Sequence, residues 1–89
     1  MLYHIVLFEP RPGSAPEAWD QVREAVLGLP TQIAGIRSVN WGTNESPEGL
    51  GQGYDHGFVM MFESEAARDA YLPHPAHMAI IPSIQTISA

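Results

Sequence analysis

The sequence predicts an α+β fold in which an antiparallel sheet carries both of its helices on one face. Short runs rich in β-branched and aromatic residues at 2–8, 36–41 and 56–62 read as strands. Segments with apolar spacing of three and four follow the first and third of these runs. The first and third strands also echo each other, each carrying a histidine near its start (His4, His56) and closing on Phe8-Glu9 or Phe62-Glu63. A repeated strand–helix–strand plan of this kind is that of a ferredoxin-like sheet.

The elements follow in order. Residues 2–8 alternate between a His4/Val6/Phe8 face, which includes Leu2, and a Tyr3/Ile5/Leu7 face, and Pro10, Pro12 and Gly13 end the strand. Ser14-Ala15-Pro16-Glu17 has the pattern of a capping box, with Ser14 as the expected cap. Trp19, Val22, Val26 and Leu29 then form one buried stripe, Asp20, Arg23 and Glu24 face water, and Gly28 and Pro30 stop the helix. Gly35 leads into the second strand, whose expected faces are Ile36/Ser38/Asn40 and Arg37/Val39/Trp41. Residues 42–53 read as a loop. Its acidic residues Glu45 and Glu48 lack calcium-loop spacing, and its glycines at 49, 51 and 53 do not follow a strand-to-helix transition, so no phosphate cradle is expected. Ser64 should cap a short helix over 65–72 with Ala67, Ala70 and Tyr71 inward. Ile80, Ile84 and Ile87 have helical spacing, so residues 75–88 are expected to be helical or irregular, with at most a short strand at 85–88.

The groups able to do chemistry crowd into residues 71–77, Tyr71-Leu72-Pro73-His74-Pro75-Ala76-His77. The residue before a proline is biased away from helix, so Leu72 and His74 should both be extended. Tyr71 then closes one helix and His77 falls in the first turn of the next, behind Pro75. The positive end of a helix disfavours imidazolium, which leaves His77 as a proton acceptor beside a phenol, a plausible acid/base pair. His74 and His77 at i, i+3 have no carboxylate near in sequence, so no metal is expected.

Both faces of the first and third strands are apolar, yet two helices cover only one. Burial is worth about 25 cal/mol per Å2, so the Ile5, Leu7, Val59 and Met61 face calls for a second copy, sheet against sheet.

Composition narrows the partners. The chain of 89 residues should form a single domain over residues 1–89. Its net charge is −6, with four arginines and no lysine, which disfavours nucleic acid and anionic membranes as partners. It has no cysteine, so disulfides and thiolate chemistry are excluded. The first apolar run lacks a basic flank and is too short for a signal or a membrane span, and a cytoplasmic location is expected.

Five segments resemble the stress-responsive A/B barrel (Dabb) family. They are His4-Ile5-Val6-Leu7-Phe8, Val39-x-Trp41-Gly42-x-Asn44-x-Ser46, Gly53-Tyr54-Asp55-His56, Phe62-Glu63-Ser64, and Tyr71-Leu72-x-His74-Pro75-Ala76-His77. The resemblance spans nearly the whole chain and implies a dimeric α/β barrel without a cofactor. It does not imply one activity. The pocket residues of a plant member, an olivetolic acid cyclase, correspond to His4, His56, Tyr71 and His77. By that resemblance His77 is the catalytic base and Tyr71 the oxyanion donor of an intramolecular aldol condensation, while His4 and His56 line a cavity for a small apolar or polyketide-like molecule; Phe58, on the strand face of His56, is expected to line it with them. The alternatives are a stress-associated dimer that binds a small ligand without turning it over, or a haem-binding or cofactorless monooxygenase role as in the wider superfamily.

Overall fold

The computed structural model describes residues 1–43 and 55–89. The expected loop at 42–53 falls outside these residues except for Gly42 and Thr43, which end a strand. The strands are β1 (Leu2–Phe8), β2 (Ile36–Thr43) and β3 (His56–Phe62), and the helices are α1 (Pro16–Leu27), α2 (Glu65–Tyr71), α3 (Pro75–Met78) and α4 (Ile81–Ile87). A three-stranded antiparallel sheet runs in the order β1-β3-β2. The fold is α+β and ferredoxin-like, as the repeated pattern predicted.

β3 is the central strand, and its inward side chains Phe58, Met60 and Phe62 are buried. In register, His4 lies opposite Met60 and Phe8 opposite His56. The two strand histidines therefore share one face but sit toward opposite ends of the sheet.

The predicted stripe is buried against that face: Trp19, Val22 and Val26 lie on α1, and Leu29 sits in the single 3-10 turn after it. The cap does not. Ala15 occupies the N-cap with no side-chain hydrogen bond. Ser14 Oγ instead accepts from the Trp19 Nε1–H at 3.1 Å. Pro16 lacks an N–H, so one orphan donor of the helix start is absent, and the serine is free to satisfy a part-buried indole.

β2 departs from simple alternation. Ile36 pairs with Phe62 and Ser38 with Met61, so a bulge falls between them at Arg37. The extra residue turns the strand over, and Ile36 joins Val39 and Trp41 on the core side rather than facing away from them. Gly35, just before, has φ +92°, and a Cβ there would stand 2.7 Å from the Ala67 Cβ. Its carbonyl accepts the Glu63 N–H at 2.9 Å, tying the entry of β2 to the exit of β3.

Ser64 caps α2 by accepting the Ala67 N–H at 3.1 Å. Tyr71 is buried and Ala67 partly so, whereas Ala70 is exposed because it lies past the edge of a narrow stripe. After the corner the chain is helical through α3 and α4, in line with the isoleucine spacing, and no strand forms at 85–88. Only Ser88 bridges to Pro10, supported by Arg11 N–H to Ile87 O and Ala89 N–H to Glu9 O, each 2.7 Å. Among the described residues no helix is long and apolar enough to cross a membrane.

The sheet face away from the helices is bare in the single chain. Tyr3, Ile5 and Leu7 are each more than 60 % exposed and Val59 38 %.

Candidate functional site

The site is a corner between two helices, built from a short polar sequence held by prolines. His74, before Pro75, is extended (ψ 136°) as predicted, and its Nδ1 accepts the Ala76 N–H at 3.1 Å, capping α3. Leu72 is not extended. Although it precedes Pro73, it keeps helical angles (φ −57°, ψ −45°) and donates its N–H to Arg68 O at 3.3 Å. The last turn of α2, anchored by buried Tyr71, outweighs the pre-proline preference. A helical ψ at the end of α2 also leaves the Leu72 carbonyl without a helical donor. The Nδ1 of His77 lies 2.9 Å from that oxygen.

A carbonyl only accepts, so this contact assigns the proton to His77 Nδ1. In the neutral ring Nε2 then carries the lone pair. His77 is the third residue of a single-turn helix, so its orientation comes from the Leu72 carbonyl rather than from a long helix dipole. The Tyr71 ring lies 4.2 Å from the His77 ring, centre to centre. Burial pushes the Tyr71 phenol up to about 12, so it stays a proton donor through the physiological range.

These rings line a cavity of about 100 Å3. His4 and Val6 of β1 and Phe58 of β3 form its sheet side, and Ile80, just ahead of α4, and Ile84 of α4 line it from the C-terminal segment. His4 lies 6.2 Å from both Tyr71 and Phe58. Its imidazole is held below the usual histidine range, first by burial and then by the nearby His77 and Arg68 charges. The corner thus joins a lone pair, a phenolic donor and a histidine disfavoured as a cation inside an apolar shell.

The model of the stress-responsive A/B barrel domain matches residues 2–89. The chain belongs to this family. A stress-response A/B barrel domain-containing protein, HS1 of Arabidopsis thaliana, is 35 % identical over 75 residues, which is 84 % of this chain and 69 % of that protein. The crystal structure of At3g17210 from Arabidopsis thaliana matches with a TM-score of 0.87 at 30 % identity, covering 97 % of this chain and 84 % of that one. A dimeric ferredoxin-like protein of unknown function from Jannaschia sp. CCS1 matches with a TM-score of 0.78 at 30 % identity, over 98 % and 84 % of the two chains.

Within this A/B barrel, four of the residues expected at the site from sequence share the corner cavity: His4, Phe58, Tyr71 and His77. His56 does not. It stacks on Trp19 at 4.4 Å and lines a separate pocket at the other end of the sheet. Sequence reasoning missed the Leu72 carbonyl, because backbone groups carry no residue signature. It also left Ile80 and Ile84 as a helical spacing without a destination.

Proposed function

We propose that this A/B barrel works as a homodimer whose corner cavity takes a small apolar carbonyl compound and moves a proton at the carbon beside its carbonyl. The carrying observation is the 2.9 Å contact of His77 Nδ1 with the Leu72 carbonyl, which leaves Nε2 as the base next to the Tyr71 phenol. His77 Nε2 removes the α-proton while Tyr71 donates a hydrogen bond to the oxygen that becomes the enolate. The enolate carbon attacks a second carbonyl of the same molecule, forming the carbon–carbon bond. The proton on His77 passes to the new alkoxide, and no cofactor enters the balance. This is the cyclase-type aldol reaction suggested by the resemblance to olivetolic acid cyclase. At about 100 Å3 the cavity is well below the roughly 300–1,000 Å3 of drug-sized sites, which favours short dicarbonyls over long polyketides. His4 and Phe58 form its sheet wall.

The dimer reading rests on the exposed Tyr3, Ile5 and Leu7 face and on the dimeric description of the Jannaschia structure.

Deuterium incorporation from D2O into butanone, followed by proton NMR, tests the proton-transfer step. Wild type should accelerate exchange over buffer, and His77→Ala should lower the enzymatic rate by about 10²–10⁴-fold. A wild-type rate equal to buffer would remove the enzymatic reading. A small-ligand-binding dimer is the second reading, favoured by the apolar lining of the cavity, and a butanone-dependent rise in melting temperature would support it.

A further inference from the structure

A groove of about 320 Å3 lies between α1 and α4, beside the corner cavity. Buried Val22 and Ile87 line its floor, and exposed Gln21, Ser83 and Thr86 its rim. The small side chains of Ala18 and Ala25 on α1 leave that space unfilled.

The groove and the corner cavity follow the same two elements. Val22 lines the groove and Val26, about one turn on, lines the cavity; Ile87 lines the groove and Ile84, about one turn back, the cavity. Among the described residues, only Ile80 lines both. It is half-buried and packs against the core, and its N–H donates to the His77 carbonyl at 3.1 Å. Its backbone is therefore fixed relative to the base. The far end of α4 is held as well. Arg11 donates its backbone N–H to the Ile87 carbonyl at 2.7 Å and its Nε–H to the Ser88 carbonyl at 2.8 Å. With both ends of the helix tied, the Ile80 side chain divides the two spaces.

We propose that Ile80 sets the chain length of the carbonyl compound taken at the corner: its branched side chain bars the groove, and a smaller residue there opens it to a straight alkyl chain. The proposal rests on the reading of the corner as a carbonyl site. The chemistry of the two spaces fits this division. His4, Tyr71 and His77 lie in the small cavity, where a carbonyl head is polarised. The groove instead offers an aliphatic floor, and the Thr86 hydroxyl at its rim already donates to the Pro82 carbonyl at 2.9 Å. An unbranched alkyl chain needs no polar partner there. The groove's volume of about 320 Å3 also falls within the roughly 300–1,000 Å3 of ordinary ligand sites.

Butanone and 2-heptanone share a methyl ketone head and differ by three methylenes, so their relative affinity reads the barrier. Dissociation constants from NMR titrations, followed on the His77 ring protons, should show wild type binding heptanone no more tightly than butanone. In Ile80→Ala heptanone should be favoured by about thirtyfold, at roughly threefold per buried methylene. Ile80→Val, which removes one methyl and keeps the packing, should gain part of that preference. Ile84→Ala enlarges the cavity without reaching the groove and should keep the wild-type ratio. Ser83→Trp at the exposed rim should restore that ratio in the Ile80→Ala background. A wild type that already prefers heptanone overturns the proposal. So does an equal gain in Ile84→Ala, or no gain in either Ile80 variant while butanone still binds. A chain-length switch without deuterium exchange supports Ile80 as the barrier and removes only the proton-transfer step. If neither ketone binds wild type or the Ile80 variants, the proposal falls together with the carbonyl reading.

Discussion

His77 donates its Nδ1–H to the carbonyl of Leu72 at 2.9 Å, across a corner whose sequence contains two prolines. That carbonyl is available because Leu72 remains helical ahead of Pro73. It does for His77 what a buried carboxylate does for a catalytic histidine elsewhere: it fixes the ring and the tautomer.

The two corner histidines should separate by role. His74→Ala removes the cap on α3 and should cost about 1 kcal/mol of stability while leaving proton exchange near the wild-type rate. Tyr71→Phe should do the reverse to the chemistry, lowering kcat with KM less affected. Thermal melts and exchange kinetics on the same samples separate the two. Equal kinetic damage from both variants would show that the corner acts through its fold alone.

Stability should fall on the alkaline side through Tyr71. Its folded-state value is raised to about 12 from 10.0, so the contribution is fully present below pH 10 and is lost as pH rises from 10 toward 12. Denaturant midpoints should drop for wild type as pH rises above 10 and stay flatter for Tyr71→Phe.

On the acid side His4 has the opposite sign. Its folded-state value lies below 6.5, so its neutral form favours the folded chain above that pH, and stability declines as pH falls beneath it. His4→Phe should remove that part of the acid dependence. An unchanged acid limb in the variant would assign the loss to other groups.

The bare sheet face gives a prediction about assembly. Ile5 is 65 % exposed in the single chain and pairs across from Val59. Ile5→Asp should therefore leave the monomer folded but place an unpaired charge in a sheet-to-sheet interface. Light scattering should report twice 9.7 kDa for wild type and 9.7 kDa for the variant. A monomeric wild type at micromolar concentration would end the dimer reading.

Gly35 should be intolerant of any side chain. Its positive φ costs an L-residue about 1–3 kcal/mol, and a Cβ would also meet the Ala67 Cβ at 2.7 Å. Gly35→Ala should lower the melting temperature, and adding Ala67→Gly should recover only the steric part. Full recovery would show that the backbone angle is not strained.

Local physics was sufficient for much of this protein. Apolar period and turn residues determined β1 and β3, the buried stripe of α1, the Ser64 cap and the helical tail, because each depends on neighbours within a few residues. The motif at 71–77 likewise placed Tyr71 at a helix end and His77 in the next helical turn. Tertiary structure decided what depends on distant partners. The bulge at Arg37 follows from pairing with β3, and Ser14 turned to the Trp19 indole because that ring was being buried. Leu72 stayed helical because Tyr71 is locked in the core, and its carbonyl oriented His77 as a consequence. The parting of His56 from His4 was decided in the same way. Alternation put both on one face, but only the antiparallel register assigned them to different cavities.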